Sequence, residues 1–133
     1  MACIFCKILS KEVPNYTVYE DEFVLAFLDI FPHAKGHTVV IPKQLKETFL
    51  ELSEIETQNF ASGVKKAIQR IENVLHPDGF NAGWNERPAG GQVVPHLHVH
   101  IFPRWNKDGG GSMHSIIKNS GNLSVEEVSK LFN

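Results

Sequence analysis

Hydrophobic and polar positions change rhythm several times along the 133 residues, and each rhythm predicts an element. Cys3 to Leu9 reads as a short helical turn ending near Ser10. Tyr16-Thr17-Val18-Tyr19-Glu20 and Phe23-Val24-Leu25-Ala26-Phe27-Leu28 are β-rich runs separated by Asp21-Glu22, which predicts a hairpin. After a loop from Asp29 to Gly36, His37-Thr38-Val39-Val40-Ile41 predicts a third strand, stopped by Pro42, which cannot donate to a ladder. Leu45 to Leu52 reads as a brief helical turn. The rhythm then lengthens: Phe60, Val64, Ala67, Ile68, Ile71 and Leu75 follow helical spacing. Ser53 and Glu56 form a capping box at the start of that helix, and Pro77 bounds its end. Gly79 to Trp84 predicts a fourth strand, and Glu86 to Val93 a loop rich in Gly and Pro.

The fifth strand has the strictest pattern. In Pro95-His96-Leu97-His98-Val99-His100-Ile101-Phe102-Pro103, apolar residues and histidines alternate with period two. Leu97, Val99 and Ile101 point to the core, and His96, His98 and His100 share the other face. Alternate residues of a strand stand about 6.6 Å apart, at about 3.3 Å per residue. Beyond it, Asn106 to Gly111 reads as a mobile glycine loop, and Ser124-Val125-Glu126-Glu127 as a second capping box opening a terminal helix to about Leu131. Strands joined by tight turns, then a helix, predict one α+β domain over residues 1–133: a five-stranded antiparallel sheet, one long helix and a C-terminal helix.

Composition narrows the partners. The formal net charge of −2 gives no basic surface for nucleic acid. No apolar run approaches the ~18 residues of a membrane span, and the start, Met1-Ala2-Cys3-Ile4-Phe5-Cys6-Lys7, does not read as a signal peptide. Cys3 and Cys6 are the two cysteines, too few for a disulfide framework, so a cytoplasmic location is expected.

A row of imidazoles supports two chemistries. His-x-His on a strand can hold two corners of a zinc site, with a third ligand from another element. Alternatively, the middle histidine attacks while its neighbours orient it and carry charge, since imidazole serves near neutral pH as a neutral nucleophile or a charged donor. The glycines of Gly90-Gly91-Gln92-Val93, just before the row, allow backbone N–H groups to approach an anion. Asp29 can accept hydrogen bonds from two ribose hydroxyls or serve as a turn residue. By spacing alone, Ile4, Phe5, Phe27, Leu28 and Ile30 read as core packing.

The seven residues His96 to Phe102 fit His-φ-His-φ-His-φ-φ, with φ apolar, and so resemble the histidine triad (HIT) nucleotide-binding proteins. Cys3–Ile8, Val18–Glu22, Ala26–Ile30, Gly36–Lys43, Asn85 and Gly90–Gln92 resemble the same family in the same order. The likeness is strongest over residues 3–104, leaves 105–133 as a variable tail, and through His100 favours the hydrolase branches. It implies a purine nucleotide substrate, a homodimer with the sheet continued across the interface, and reaction at the α-phosphate through a covalent nucleotidyl-histidine. In that reading His98 is the nucleophile, His100 donates to the α-phosphate, and His96 supports the strand and the imidazole hydrogen bonding. His37 acts from behind. Asn85, Gly91, Gln92 and Val93 join His98 and His100 around the phosphate, and Ile4, Phe5, Phe27, Leu28, Asp29 and Ile30 hold the nucleoside. The family usually has a small, often hydroxyl-bearing residue where Val93 stands, and Pro95 is also unusual. His33, His76 and His114 read as surface residues, and Trp105 as a cover for the site or an interface.

The family's prokaryotic members often place a structural zinc on a Cys-x-x-Cys pair, the first triad histidine and a further histidine two residues after the Pro-Lys pair. Here these positions are Cys3, Cys6, His96 and Leu45, so the fourth ligand is missing. Closed structural sites are four-coordinate, so no zinc is expected to be required, and Cys3 and Cys6 are expected to pack as small thiols. A hydrolase of nucleoside phosphoramidates or dinucleoside polyphosphates is therefore the leading reading. A nucleotide-binding interaction module with little turnover, and a metal-dependent site using the cysteine pair, are the alternatives.

Overall fold

The computed structural model describes residues 3–133. Strands β1 (Thr17–Glu20), β2 (Val24–Leu28), β3 (Thr38–Pro42), β4 (Gly79–Trp84) and β5 (Val99–Arg104) form one antiparallel sheet in the order β1-β2-β3-β5-β4. Helices are α1 (Ile4–Leu9), α2 (Glu54–Leu75) and α3 (Val125–Lys130). The α+β class and the five-stranded sheet expected from the hydropathy rhythm are those observed.

Local chemistry explains the elements. At the β1–β2 hairpin the Asp21 carboxylate accepts the N–H groups of Phe23 and Val24 at 2.7 and 2.9 Å and the Tyr19 hydroxyl at 2.7 Å. Ser53 and Glu56 close the expected capping box on α2. That helix covers one sheet face, where Phe60, Ala67 and Ile71 pack on Val24, Ala26, Val40, Leu97, Val99 and Ile101. Each such large side chain contributes about 1.5–3 kcal/mol on full burial. Contact is closest at Gly63, where a Cβ would fall 2.5 Å from a methyl of Val24. On the opposite face Leu25, Phe27, Val39 and Ile41 pack against Ile8 of α1. The histidines share this face: His37, His96 and His98 are buried, and His100 is half-buried.

Two expectations need correction. The fifth strand begins at Val99, so His96 lies at a bend and His98 in the segment leading from it into the strand. Val40 pairs with Val99, so continuing the register would set Pro42 opposite Leu97. Proline has no N–H to give to the ladder, its carbonyl is taken by His96 Nε2 at 3.1 Å, and the Leu97 N–H donates to the Lys46 carbonyl at 2.6 Å. The glycine loop expected to be mobile is tied down: Asp108 accepts from Arg104 Nε and Nη2 at 2.7 and 2.8 Å and from the N–H groups of Trp105 and Gly110. Arg104 also reaches Asn81 and the Gly111 carbonyl, and its guanidinium holds the Asp108 carboxyl well below the usual carboxylate range.

Candidate active site

Backbone groups set the tautomer of each histidine. His98 Nδ1 stands 2.7 Å from the carbonyl oxygen of His96. A carbonyl only accepts, so Nδ1 carries the proton and Nε2 keeps its lone pair. The side chain of His96, also buried, turns Nε2 to the Pro42 carbonyl at 3.1 Å, so its Nδ1 is the unprotonated nitrogen. That Nδ1 lies 3.5 Å from Cys3 Sγ and 3.7 Å from Cys6 Sγ. The sequence reading credited His96 with supporting the neighbouring imidazole; its backbone carbonyl makes that contact, while its ring faces α1.

The third histidine is set by a relay. The backbone N–H of His33 donates to His37 Nδ1 at 3.2 Å, which leaves the proton of neutral His37 on Nε2. This Nε2–H faces His100 Nδ1 at 2.9 Å and Asp29 Oδ2 at 3.5 Å. His100 Nδ1 therefore accepts, and its Nε2 becomes an N–H donor. Adjacent imidazoles, with ring centres 5.0 Å apart, thus carry opposite functions: a lone pair on His98 and a donor on His100.

Burial keeps the row neutral. It pushes His98 below the ordinary histidine range, outweighing the His96 carbonyl, which favours the protonated ring. Burial also lowers His96 despite the Pro42 carbonyl, and His37 despite Asp29. Burial and the neighbouring His98 and His37 lower His100 to about 4.

The expected nucleoside residues divide. Phe5 sets its ring edge-on to His98, with centres 5.0 Å apart, and Ile4 and Ile30 are exposed. Phe27 is core, packed behind Phe5 with ring centres 5.7 Å apart. Leu28 does not fit its expected place: strand alternation sends it to the face opposite Phe27, away from the histidines. Asp29 turns Oδ1 to the Phe31 N–H at 2.9 Å, and Oδ2 faces the relay.

The glycine loop also departs from expectation. The N–H groups of Gly90, Gly91 and Gln92 bond to carbonyls of Arg87 and Pro88 within the loop, so they are not aimed at an anion. The Gln92 amide is spent on the Glu47 and Val94 carbonyls and the Arg87 N–H, so it braces the loop. Gly91, at φ +98°, packs against the Asn85 side-chain amide, and Val93 is 89% exposed.

Several contributors were not legible in the sequence. The Pro42 and His96 carbonyls and the His33 N–H are backbone groups without a residue signature. Glu86 accepts the N–H groups of Phe49 and Leu50 and the Trp84 indole N–H, fastening the loop after β3 to the end of β4. A cleft of about 990 Å³ runs from Asp29, His37 and His100 across β4 to Trp105 and the tail residues Met113 and Ile116. Trp105 lines this cleft, with Lys35 above its ring at 5.6 Å.

The HIT domain model matches residues 10–107. An uncharacterised HIT-like protein of Methanocaldococcus jannaschii is 46% identical over 128 residues, covering 96% of each chain. The adenosine 5'-monophosphoramidase of Schizosaccharomyces pombe is 37% identical over 110 residues, covering 83% of this chain and 80% of that protein. The crystal structure of a HIT family member from Bacillus subtilis superposes with a TM-score of 0.85 at 38% identity, covering 99% of this chain and 93% of that one. With the family's triad wired to the backbone as described, and with similarity running the length of the fold, this chain belongs to the HIT domain family.

Proposed function

We propose that this protein is a nucleotide hydrolase or nucleotidyl transferase acting at the α-phosphate of purine nucleotide conjugates, of the phosphoramidate or dinucleoside polyphosphate type. The observation that carries the reading is the pair of opposed tautomers at His98 and His100. Phosphoryl transfer needs an in-line nucleophile and donors for the non-bridging oxygens, and little else from the protein. His98 Nε2 attacks the α-phosphorus. The bond to the leaving group breaks, the leaving group takes a proton from solvent, and the nucleotide remains on His98. Water then attacks the phosphorus, restores the imidazole and releases the 5'-monophosphate. His100 Nε2–H donates to a non-bridging oxygen throughout, and His37 holds it in that tautomer. The relative from Schizosaccharomyces pombe, named as a monophosphoramidase, supports this reaction class.

On the nucleoside side, Asp29 Oδ2 receives a ribose hydroxyl, while Phe5, Ile4 and Ile30 flank the base. Because the N–H groups of residues 90–92 are already bonded, phosphate recognition rests on the histidines, on Asn85 and on the backbone N–H of Val93. The chemistry requires no metal. The protein works as a homodimer in the cytoplasm: β4 has an unpaired outer edge with Trp84 exposed at its end, and an open edge is a template for a second strand. Cys3 and Cys6 are free thiols, which suits a reducing compartment.

Adenosine 5'-phosphoramidate incubated with the purified protein is expected to yield AMP. His98→Ala should lower that turnover by several orders of magnitude while AMP still binds by calorimetry, because a covalent step is removed rather than a contact. AMP binding without turnover in the wild type would instead establish a nucleotide-binding module, and a near-normal kcat in His98→Ala would remove the assigned nucleophile.

A further inference from the structure

The C-terminal segment is an arm with an uncovered apolar side. Every residue from 106 to 133 is exposed. Beyond Gly111, each hydrogen bond or ion pair among the described residues stays within four positions. Helix α3 is nonetheless amphipathic. Val125 and Val128, with Leu131 and Phe132 in its closing turn, fall in one stripe about 120° wide at 3.6 residues per turn. Leu131 is 74% and Phe132 85% exposed, while Glu126, Glu127 and Lys130 occupy the other side. We propose that residues 112–133 are an exchanged arm, whose apolar stripe packs on a second copy of this chain.

Surface area carries the proposal. A compact chain of 14.9 kDa exposes about 7,000 Å². This one exposes 9369 Å². The surplus, roughly 2,400 Å², is well above the 800 Å² or so that each partner hides in an interface of standard size. It falls instead among obligate pairs, which hide roughly 1,000–2,500 Å² a side. Helix α3 also needs a partner for its own sake. It has six residues, and in water isolated helices below about 12–15 residues are marginal, so packing must hold it.

The root of the arm points to a second copy. Arg104, at the end of β5, bonds Asn81 on β4 and the Gly111 carbonyl. Met113 lies over Gly83 of β4, where a Cβ would fall 3.3 Å from its terminal methyl. The chain thus lies along β4, the outermost strand, before the arm begins. A second chain joined at that open edge stands within reach, and a two-fold arrangement covers both stripes at once. A membrane fits the stripe less well, because the helix carries two glutamates and one lysine and lacks the basic flank of a membrane-surface helix. The HIT domain model ends at residue 107, so the arm lies outside the part of the chain shared with the family. It is a contact in addition to the pairing of β4 edges proposed above, and either can stand without the other.

Sedimentation equilibrium and hydrogen exchange on the full chain test this without reference to turnover. The wild type should be a dimer whose α3 amides are protected, and dilution to monomer should remove that protection. The double variant Val128→Asp, Leu131→Asp should raise the dimer dissociation constant about 100-fold or more, since each pair loses two stripes. Both side chains are exposed, so the body keeps its fold, which an unchanged far-ultraviolet dichroism verifies. Glu126→Gln, on the polar side of α3, should leave the constant where it is. The exchange is repeated with vesicles of phosphatidylcholine and phosphatidylglycerol, which should add nothing to the protection. A wild type that stays monomeric at micromolar concentrations would overturn the proposal. So would α3 amides that are unprotected in the dimer, equally protected in the monomer, or protected only by vesicles. A double variant that dimerises as the wild type does would leave the pairing of β4 edges standing and remove the arm.

Discussion

Two clusters of three residues flank His98: Cys3, Cys6 and His96 on one side, Asp29, His37 and His100 on the other. Each contains a triad histidine, yet the two work in opposite ways. On the aspartate side the donor atoms are turned on one another, and the sequence of contacts from His33 N–H through His37 fixes His100 as a donor. On the cysteine side the ring nitrogen and two sulfurs converge on a common point. The same residue type in one alternating row thus acquires its role from what is packed behind it. The aspartate side sets the tautomer of His100, and the cysteine side sets the ring of His96 against α1.

Breaking the aspartate side should have the largest consequence. His100→Ala removes a donor to the transition state and should lower kcat by about 10²–10³-fold, the usual cost of one such donor. A loss of only a few-fold in steady-state assays would place the phosphate elsewhere. His37→Phe leaves His100 Nδ1 without its donor while keeping an aromatic ring in place. Turnover should fall about 10–100-fold, as for an outer-shell partner, with KM changed much less than kcat. Asp29→Ala should weaken nucleotides by about 1.5–3 kcal/mol, the worth of a hydrogen bond to a charged group. It should weaken 2',3'-dideoxy analogues less, and equal losses by calorimetry would make Asp29 a turn residue only.

Acid should act on all four histidines held neutral by burial, the aspartate side included. His37 and His100 titrate below the ordinary histidine range in the folded protein, His100 at about 4. The unfolded chain then binds more protons as pH falls below the usual histidine value near 6.5. Their contribution to stability is complete above about 6.5 and is lost as pH falls toward about 4. Urea midpoints should decline from pH 7 to pH 5 in the wild type and decline less in His100→Asn. Parallel declines would detach the pH dependence from this cluster. The smallest effect belongs to the cysteine side. Cys6→Ser, or chelation, should leave kcat nearly unchanged, and a drop as large as that of His37→Phe would erase the distinction between the two clusters.

The sequence disclosed these regions unevenly. Period-two alternation placed His98 and His100 on one face, and the capping boxes at Ser53 and Ser124 marked two helix starts. These are local signals carried by side chains. The wiring of the histidines was not legible because its decisive atoms are main-chain: the His96 and Pro42 carbonyls and the His33 N–H. The bonding of Gln92 and Gly91 within the loop was not legible because a Gly-rich segment has one composition whether its N–H groups point outward or close on the loop. Leu28 was grouped with Phe27 as a neighbour, although alternation already separates their faces. The tail residues that line the cleft carry no periodic pattern, and only the clamp of Arg104 on Asp108 and Gly111 explains their position.

The reaction turns on one bond, from His98 Nε2 to the α-phosphorus. Rapid mixing of the wild type with a nucleoside phosphoramidate, quenching in base to preserve phosphorus–nitrogen bonds, and peptide mass spectrometry would test it directly. A nucleotidyl mass increment is expected on the peptide containing His98, localised to that residue, rising and decaying within a turnover and absent from His98→Ala. Full turnover with no adduct at any time, or an adduct localised to His96 or His100, would contradict it.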